Sequence, residues 1–223
     1  DAFNNSSDPH AEVTAKLLGI PVESVNPENR KIGKTLNFGI IYGMEKYLLA
    51  RKLQIELTEA EKLLDNYWSK FLAIRQWLFN NKVTTIKNGY SQTLLGRRRY
   101  YHFDSPELCN LKNKSDNTIE SFLIKHEDNL PYSDKARLRE AGNHPIQGGN
   151  ADLTKLAMVK IRQEILPSFS GTRLFLQIHD ELIFEVSDVH LHSFTKLVSQ
   201  AMMDINIYNV PLQVEAEYGK YWQ

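Results

Sequence analysis

The hydrophobic and polar positions of this chain recur mostly with a helical period, broken by turn residues, with no internal repeat and no low-complexity tract. Asp8-Pro9 opens a helix that runs to about Leu18, where Gly19 provides the cap and Pro21 closes it off. Asn26, Pro27 and Glu28 combine a capping side chain, a proline at the first helical position and a first-turn acid, announcing a helix that carries the stretch RKIGKTLNFGIIYG at 30–43. Thr58-Glu59-Ala60-Glu61 reads as a capping box before a long amphipathic run to about Val83. Residues 104–134 turn polar and aperiodic, rich in Asn, Ser, Lys and Asp, and read as a surface insertion around one short helix near 119–125, to which no chemistry is assigned. Beyond it the pattern predicts a helix over 151–165, a hairpin in LFLQIHDELIFEV, a helix over 187–205 and a final strand in PLQVEAEY. The class is α+β, mostly helical with a small antiparallel sheet.

Composition narrows the setting. A chain of 223 residues is long enough for one large domain or two small ones with an apolar core. Lys plus Arg and Asp plus Glu both number 27, so no polybasic tail or acidic partner is advertised and any anion site must be local. The single cysteine, Cys109, cannot form an internal disulfide, and no apolar run of about 18 residues suggests a membrane partner. A reducing, aqueous compartment is expected. The chain opens on Asp1 rather than Met, which suggests a piece of something longer.

Within 30–43, Arg30, Lys34 and Phe38 stand four apart, so at about 100° per residue they spread over roughly 80° of one helix face. At 1.5 Å per residue the stripe is roughly 12 Å long, close to the reach of a nucleoside triphosphate from γ-phosphate to base. Two cations nearer the helix N-terminus suit phosphates, and the aromatic suits sugar and base. Gly39 and Gly43 each cost a helix interior about 1 kcal/mol relative to alanine, an expense that makes sense where a substrate or template strand approaches the backbone. Spacing alone also fits an ordinary amphipathic helix with exposed Arg and Lys and a buried Phe.

The pattern Arg-X3-Lys-X3-Phe-Gly-X2-Tyr-Gly over 30–43 resembles the nucleotide-binding fingers helix of family A DNA polymerases, the DNA polymerase I group. The likeness extends over nearly the whole chain. Asp8-Pro9-His10 with Thr14-Ala15 is similar to the segment before that helix, and Gly96-Arg97-Arg98-Arg99 to the family's Gly-Arg-Arg turn. Asn143-His144-Pro145-Ile146-Gln147-Gly148 resembles its Asn-X-Pro-X-Gln-Gly segment. Leu176-Gln177-Ile178-His179-Asp180-Glu181-Leu182 resembles the palm hairpin that carries a catalytic aspartate, and Gly219-Lys220-Tyr221-Trp222 the Gly-X-X-Trp near the C-terminus. The resemblance implies a fingers region over 1–95 and a palm region over 96–223.

It also implies a DNA-directed DNA polymerase that adds deoxynucleotides to a primer 3′-hydroxyl with two Mg²⁺ ions, with primer–template DNA and dNTPs as partners. Arg30 and Lys34 would neutralise the triphosphate, while Phe38 and Tyr42 would shape the pocket. Asp180 is the expected metal ligand: an apolar strand turning on His-Asp-Glu presents a carboxylate at a hairpin tip, although acidic turns are also common in plain solvent-facing loops. His179 and Glu181 would position the primer terminus. Arg139, Asn143 and Gln147 would lie along the minor groove, holding a paired duplex without reading its sequence, although Gly142 and Pro145 argue against a continuous helix there. Arg97, Arg98 and Arg99 would add phosphate contacts, the alternative being a solvated charge run. His10 fits a structural role better than a catalytic one.

The family's other metal-binding aspartate sits in an Asp-Tyr-Ser-X-Ile-Glu-like strand, which this sequence lacks. The expectation is therefore a fragment that needs an upstream segment in cis or in trans, with Glu181 and Asp152 as the only substitute acids. The alternatives are a non-catalytic primer–template-binding fragment and, against the Glu at 181, a phage-type single-subunit RNA polymerase. The expected location is cytoplasmic and nucleoid-associated in a bacterium or phage, organellar in a eukaryote.

Overall fold

Asp8 caps α1 (Pro9–Leu18) by accepting from the backbone N–H groups of His10 and Ala11, and Gly19 ends it at φ 67°. Asn26 does the same for α2 (Pro27–Ile41), accepting from the N–H of Asn29. Both helices therefore begin where their short polar caps place them. The computed structural model describes residues 7–205 and 210–221, so Asp1 and the Trp222 of the C-terminal likeness lie outside the described residues.

α1 and α2 pack closely because residue 33 is glycine: a Cβ there would stand 2.3 Å from both the His10 carbonyl oxygen and Thr14 Oγ1. In the space so gained, the Thr14 hydroxyl donates to the His10 carbonyl at 2.8 Å and accepts from the Gly33 N–H at 3.1 Å. α3 (Lys46–Leu53), a two-turn helix with no counterpart in the sequence reading, buries Leu49 against the same core. The single long helix expected over 58–83 is two, α4 (Leu57–Lys70) and α5 (Leu72–Asn88), interrupted at Phe71. The interruption turns the Phe71 ring onto Tyr67, centroids 4.5 Å apart, in a core that also holds Leu17, Leu36, Ile40 and Ala60. The capping box at Thr58 is not made; Glu56 precedes the helix without a side-chain bond.

α5 leads into β1 (Tyr90–Gln92), paired antiparallel with β2 (Arg98–Tyr100). Three-residue strands are too short to carry an alternating signal, and the sequence reading missed them. The stretch 104–134 is corrected from a surface insertion to part of a second core. It forms α6 (Pro106–Asn110) and α7 (Asp116–His126), and its Leu108, Leu111, Ile119, Leu123 and Leu130 pack with Val83, Ile86 and Leu138. Charged neighbours hid these apolar positions from a linear pattern. Asp134, 0% exposed, anchors the stretch by accepting from the N–H groups of Asp104 at 2.8 Å and Ser105 at 2.9 Å and from the Ser105 hydroxyl at 2.6 Å.

The expected break around Gly142 and Pro145 is absent: α8 runs from Tyr132 to Lys160 without interruption and passes into a wider π turn, Ile161–Ile165. Ala141, Gly142, Asn143 and His144 are all buried, so packing holds the helix where local propensity would end it. The chain divides into two compact units between Gln147 and Gly148. In the second unit β3 (Arg173–Ile178) and β4 (Glu181–Glu185) form the expected hairpin, and α9 (Leu191–Met203) starts later than the expected 187. Its core joins Ala157, Ile161, Ile165, Leu166, Phe169, Phe194, Val198 and Ala201. The strand expected in PLQVEAEY is corrected: Leu212 and Val214 are half-buried in alternation, but 211–218 pairs with no strand among the described residues. The class is α+β, helical with two small antiparallel sheets.

Candidate functional site

The first unit presents the stripe of α2. Lys34 is exposed and has no ion-pair partner among the described residues. Phe38 is 51% and Tyr42 55% exposed, large aromatic surfaces left in water. Arg30 differs from the expected free cation, because its Nε donates to Asp8 Oδ2. That bond, with the Ala11 and His10 N–H groups adding to it and burial opposing, holds the Asp8 carboxyl below its ordinary range. The Nη groups of Arg30 remain as donors for a ligand. His10, set on α1, enters this face: its ring lies 5.5 Å from that of Phe38, tilted by 47°. Burial pushes the His10 pKa down, Arg30 and Lys34 push the same way, and Asp8 opposes them.

The expectation that Gly39 and Gly43 open the backbone to a substrate or template is corrected. A Cβ on Gly39 would stand 2.2 Å from Met44 Cε, and one on Gly43 2.5 Å from Arg139 Cδ. The protein's own side chains fill both spaces. Gly43 also lies beyond α2, at φ 69°, where glycine is favoured for its left-handed backbone.

A second group gathers on the β1–β2 hairpin and the facing turn of α8, still within the first unit. The loop between the strands is tied by Gly96 N–H to the Thr93 carbonyl at 3.0 Å and by Arg97 N–H to Thr93 Oγ1 at 3.1 Å. Arg98 stacks 4.5 Å over Tyr90 and donates to Gln92. Arg99 pairs with Glu140 at 2.6 Å, and Ser91 Oγ bonds His144 Nδ1 at 2.7 Å, so the hairpin is fastened to α8 beside Asn143. On α8 itself, Arg139, Asn143 and Gln147 do share one helical stripe, and they differ in availability. Arg139 pairs with Glu45 at 3.1 Å and lies over Tyr132; Asn143 is buried with its Oδ1 unpartnered; Gln147 is exposed.

The second unit carries the acidic tip. Ile178 pairs with Glu181, leaving His179 and Asp180 as a two-residue turn, and both are exposed along with Glu181. His179 sits at φ 52°, the first-position backbone of a hairpin turn usually given to glycine, and Gln177 Nε2 holds its carbonyl at 2.7 Å. An exposed carboxylate on a braced turn is an oxygen donor suited to a hard cation. Asp180 fits such an ion as one ligand: among the described residues no three His, Cys, Asp or Glu side chains converge on a metal site. Asp152 is buried on α8.

Sequence reasoning missed Asp8 as the partner of Arg30, His10 as the neighbour of Phe38, and Glu45 and Glu140 as holders of Arg139 and Arg99. Of these only Asp8 left a local signal, as a helix cap.

Comparison with known proteins was consistent across sequence and structure. The family described as DNA polymerase family A matches residues 1–223. The chain is 38% identical over 221 residues to DNA polymerase I of Synechocystis sp., covering 99% of this chain and 22% of that protein. It is 33% identical over 220 residues to the thermostable DNA polymerase I of Thermus aquaticus, covering 99% of this chain and 24% of that protein. The chain thus spans about a quarter of the length of such relatives. Among solved structures it is similar to the POL domain of Pol1 from M. smegmatis in complex with DNA primer–template and dNTP, with a TM-score of 0.77, 34% identity, and coverage of 99% of this chain and 35% of that one.

Proposed function

This chain belongs to DNA polymerase family A, and we propose that it supplies the nucleotide-binding helix, the duplex contacts and one metal-binding carboxylate of a DNA-directed DNA polymerase. In this reading residues 1–95 are the fingers portion and 96–223 the palm portion. The observation that carries it is the face of α2, where Lys34, with no ion-pair partner among the described residues, stands between Arg30 and a half-exposed Phe38. A lysine ammonium is a strong point charge for phosphate oxygens, and Arg30 adds its Nη donors while Asp8 fixes the guanidinium through Nε. Phe38 and Tyr42 offer flat apolar surface to sugar and nascent base pair. These groups hold the triphosphate while the primer 3′-oxygen bonds to the α-phosphorus and pyrophosphate leaves.

Members of the family are metal-dependent. When bound, a divalent cation, Mg²⁺ in this reading and two of them in the complete enzyme, supplies Lewis-acid stabilisation of charge on the phosphate oxygens. Asp180 is the side chain of this chain that would hold it. His179 and Glu181, beside it on the turn, are assigned to the primer terminus. Arg97, Arg98 and Arg99 serve the phosphate backbone, and Arg139, Asn143 and Gln147 the minor groove. The M. smegmatis domain, whose complex contains primer–template and dNTP, supports these partners.

The test is steady-state primer extension by the polymerase that carries this chain. Lys34→Ala should lower kcat/KM for dNTP by about 10- to 100-fold, the loss of one charge-assisted contact, with primer–template affinity unchanged. An unaltered kcat/KM would overturn the assignment of α2.

A further inference from the structure

Side chains from three helices form a chain that ends on the exposed aromatic of α2. Tyr67 of α4, 2% exposed, donates its hydroxyl to Asn37 Oδ1 at 3.4 Å. Asn37 of α2 turns Nδ2 toward His10 Nδ1 at 3.1 Å. His10 of α1 lies against Phe38. An amide nitrogen only donates, so Nδ1 of His10 must carry a lone pair and the ring proton must sit on Nε2. The Tyr67 hydroxyl donates to the Oδ1 end of that amide, which leaves the Nδ2 end facing the histidine.

We propose that Tyr67 and Asn37 are positioning residues that hold His10 as the neutral Nε2–H tautomer against Phe38, and so fix the aromatic at the nucleotide face. The proposal rests on the reading of α2 as the nucleotide helix. Phe38 is half exposed, and a ring on an open helix face has rotamers to choose from. His10 is itself fixed through its backbone, with its N–H on Asp8 and its carbonyl accepting from Thr14. The hydrogen bond from Asn37 adds the one restraint its ring lacks.

The surrounding charges favour the same state. Burial, then Arg30, with Lys34 adding, disfavour a cationic His10, and Asp8 is the one acid opposing them. From α4 the neighbouring titratable group is Tyr67, whose pKa burial raises, so it stays a neutral donor. Protonation of His10 would place an N–H at Nδ1 opposite the Asn37 N–H and break the contact.

The experiment is ¹⁵N NMR of histidine-labelled polymerase carrying this chain, with the His10 signal identified by its loss in His10→Gln. The expected spectrum has the proton on Nε2 in the parent, a tautomer mixture in Tyr67→Phe, and the proton moved to Nδ1 with a raised pKa in Asn37→Asp. Tyr67→Phe keeps the buried ring, so KM for dNTP should rise about threefold to tenfold while kcat and primer–template affinity hold. A parent spectrum with the proton on Nδ1, or one unmoved by both variants, would overturn the proposal; so would a normal KM in a Tyr67→Phe enzyme whose tautomers have mixed. The Lys34→Ala result judges α2 separately, since it leaves the His10 tautomer untouched.

Discussion

Arg30 and Lys34 carry the same charge on the same helix face, and their neighbours make them unequal. Arg30 is bound to the carboxylate that caps α1, whereas Lys34 is bound to nothing among the described residues. Arg30→Ala should therefore weaken dNTP use and also lower Tm by about 1–3 °C, a modest shift because both members of the pair are 39–43% exposed. Lys34→Ala should lower dNTP use with Tm unchanged, and thermal melts of the two variants side by side check the contrast. At Asp134 the balance is different, because the group is buried. Burial pushes its carboxyl up, but the Ser105 hydroxyl, the N–H groups of Asp104 and Ser105 and the Arg137 guanidinium together hold it below the ordinary range of an aspartate. A depressed carboxylate gives stability that is present above its unfolded pKa and is lost as pH falls through the folded value. Asp134→Asn should cost about 3 kcal/mol at pH 7 and proportionately less as pH drops below 4, which urea midpoints at both pH values would read.

The helices show what a sequence announces and what it conceals. Asp8, Gly19 and Asn26 act within a few residues of themselves, so the ends of α1 and the start of α2 are legible from local chemistry. The hairpin at Asp180 is legible for the same reason, two apolar runs around a polar turn. The helix break at Phe71 accompanies the packing of its ring on Tyr67 in a core assembled from several helices, and Pro145 fails to break a helix because its surroundings are buried. Core burial of this kind is not local and does not appear in a linear pattern. The leucines of 104–134 were likewise masked by the charges between them. The glycines of α2 make the same distinction testable. Gly33→Ala would drive a methyl into the backbone oxygen of His10 and should destabilise by about 2–3 kcal/mol, since α1 must move. Gly39→Ala meets the flexible Cε and Sδ of Met44 most closely, with Met44 Cβ at 3.1 Å and no backbone atom among its nearest contacts, and should cost less, about 1 kcal/mol. Chemical denaturation of the pair checks the ordering.

For the whole molecule, a formal net charge of zero means that any hold on nucleic acid comes from placement rather than excess. The arginine hairpin is where placement is densest, and its members are not equivalent. Each phosphate contact contributes about 0.9 to the slope of log K against log salt. Arg98→Ala should lower that slope by about 1 in primer–template binding, while Arg99→Ala should lower it less because Glu140 already holds that guanidinium. Fluorescence anisotropy across a salt series gives the two slopes. Among the described residues the buried apolar side chains, meanwhile, fall into three separate clusters, two before Gly148 and one after it. A heat-capacity scan of such a chain has no single reservoir to empty: the enthalpy taken from the area of the melting peak should exceed the enthalpy taken from its sharpness, the calorimetric mark of parts that let go in turn.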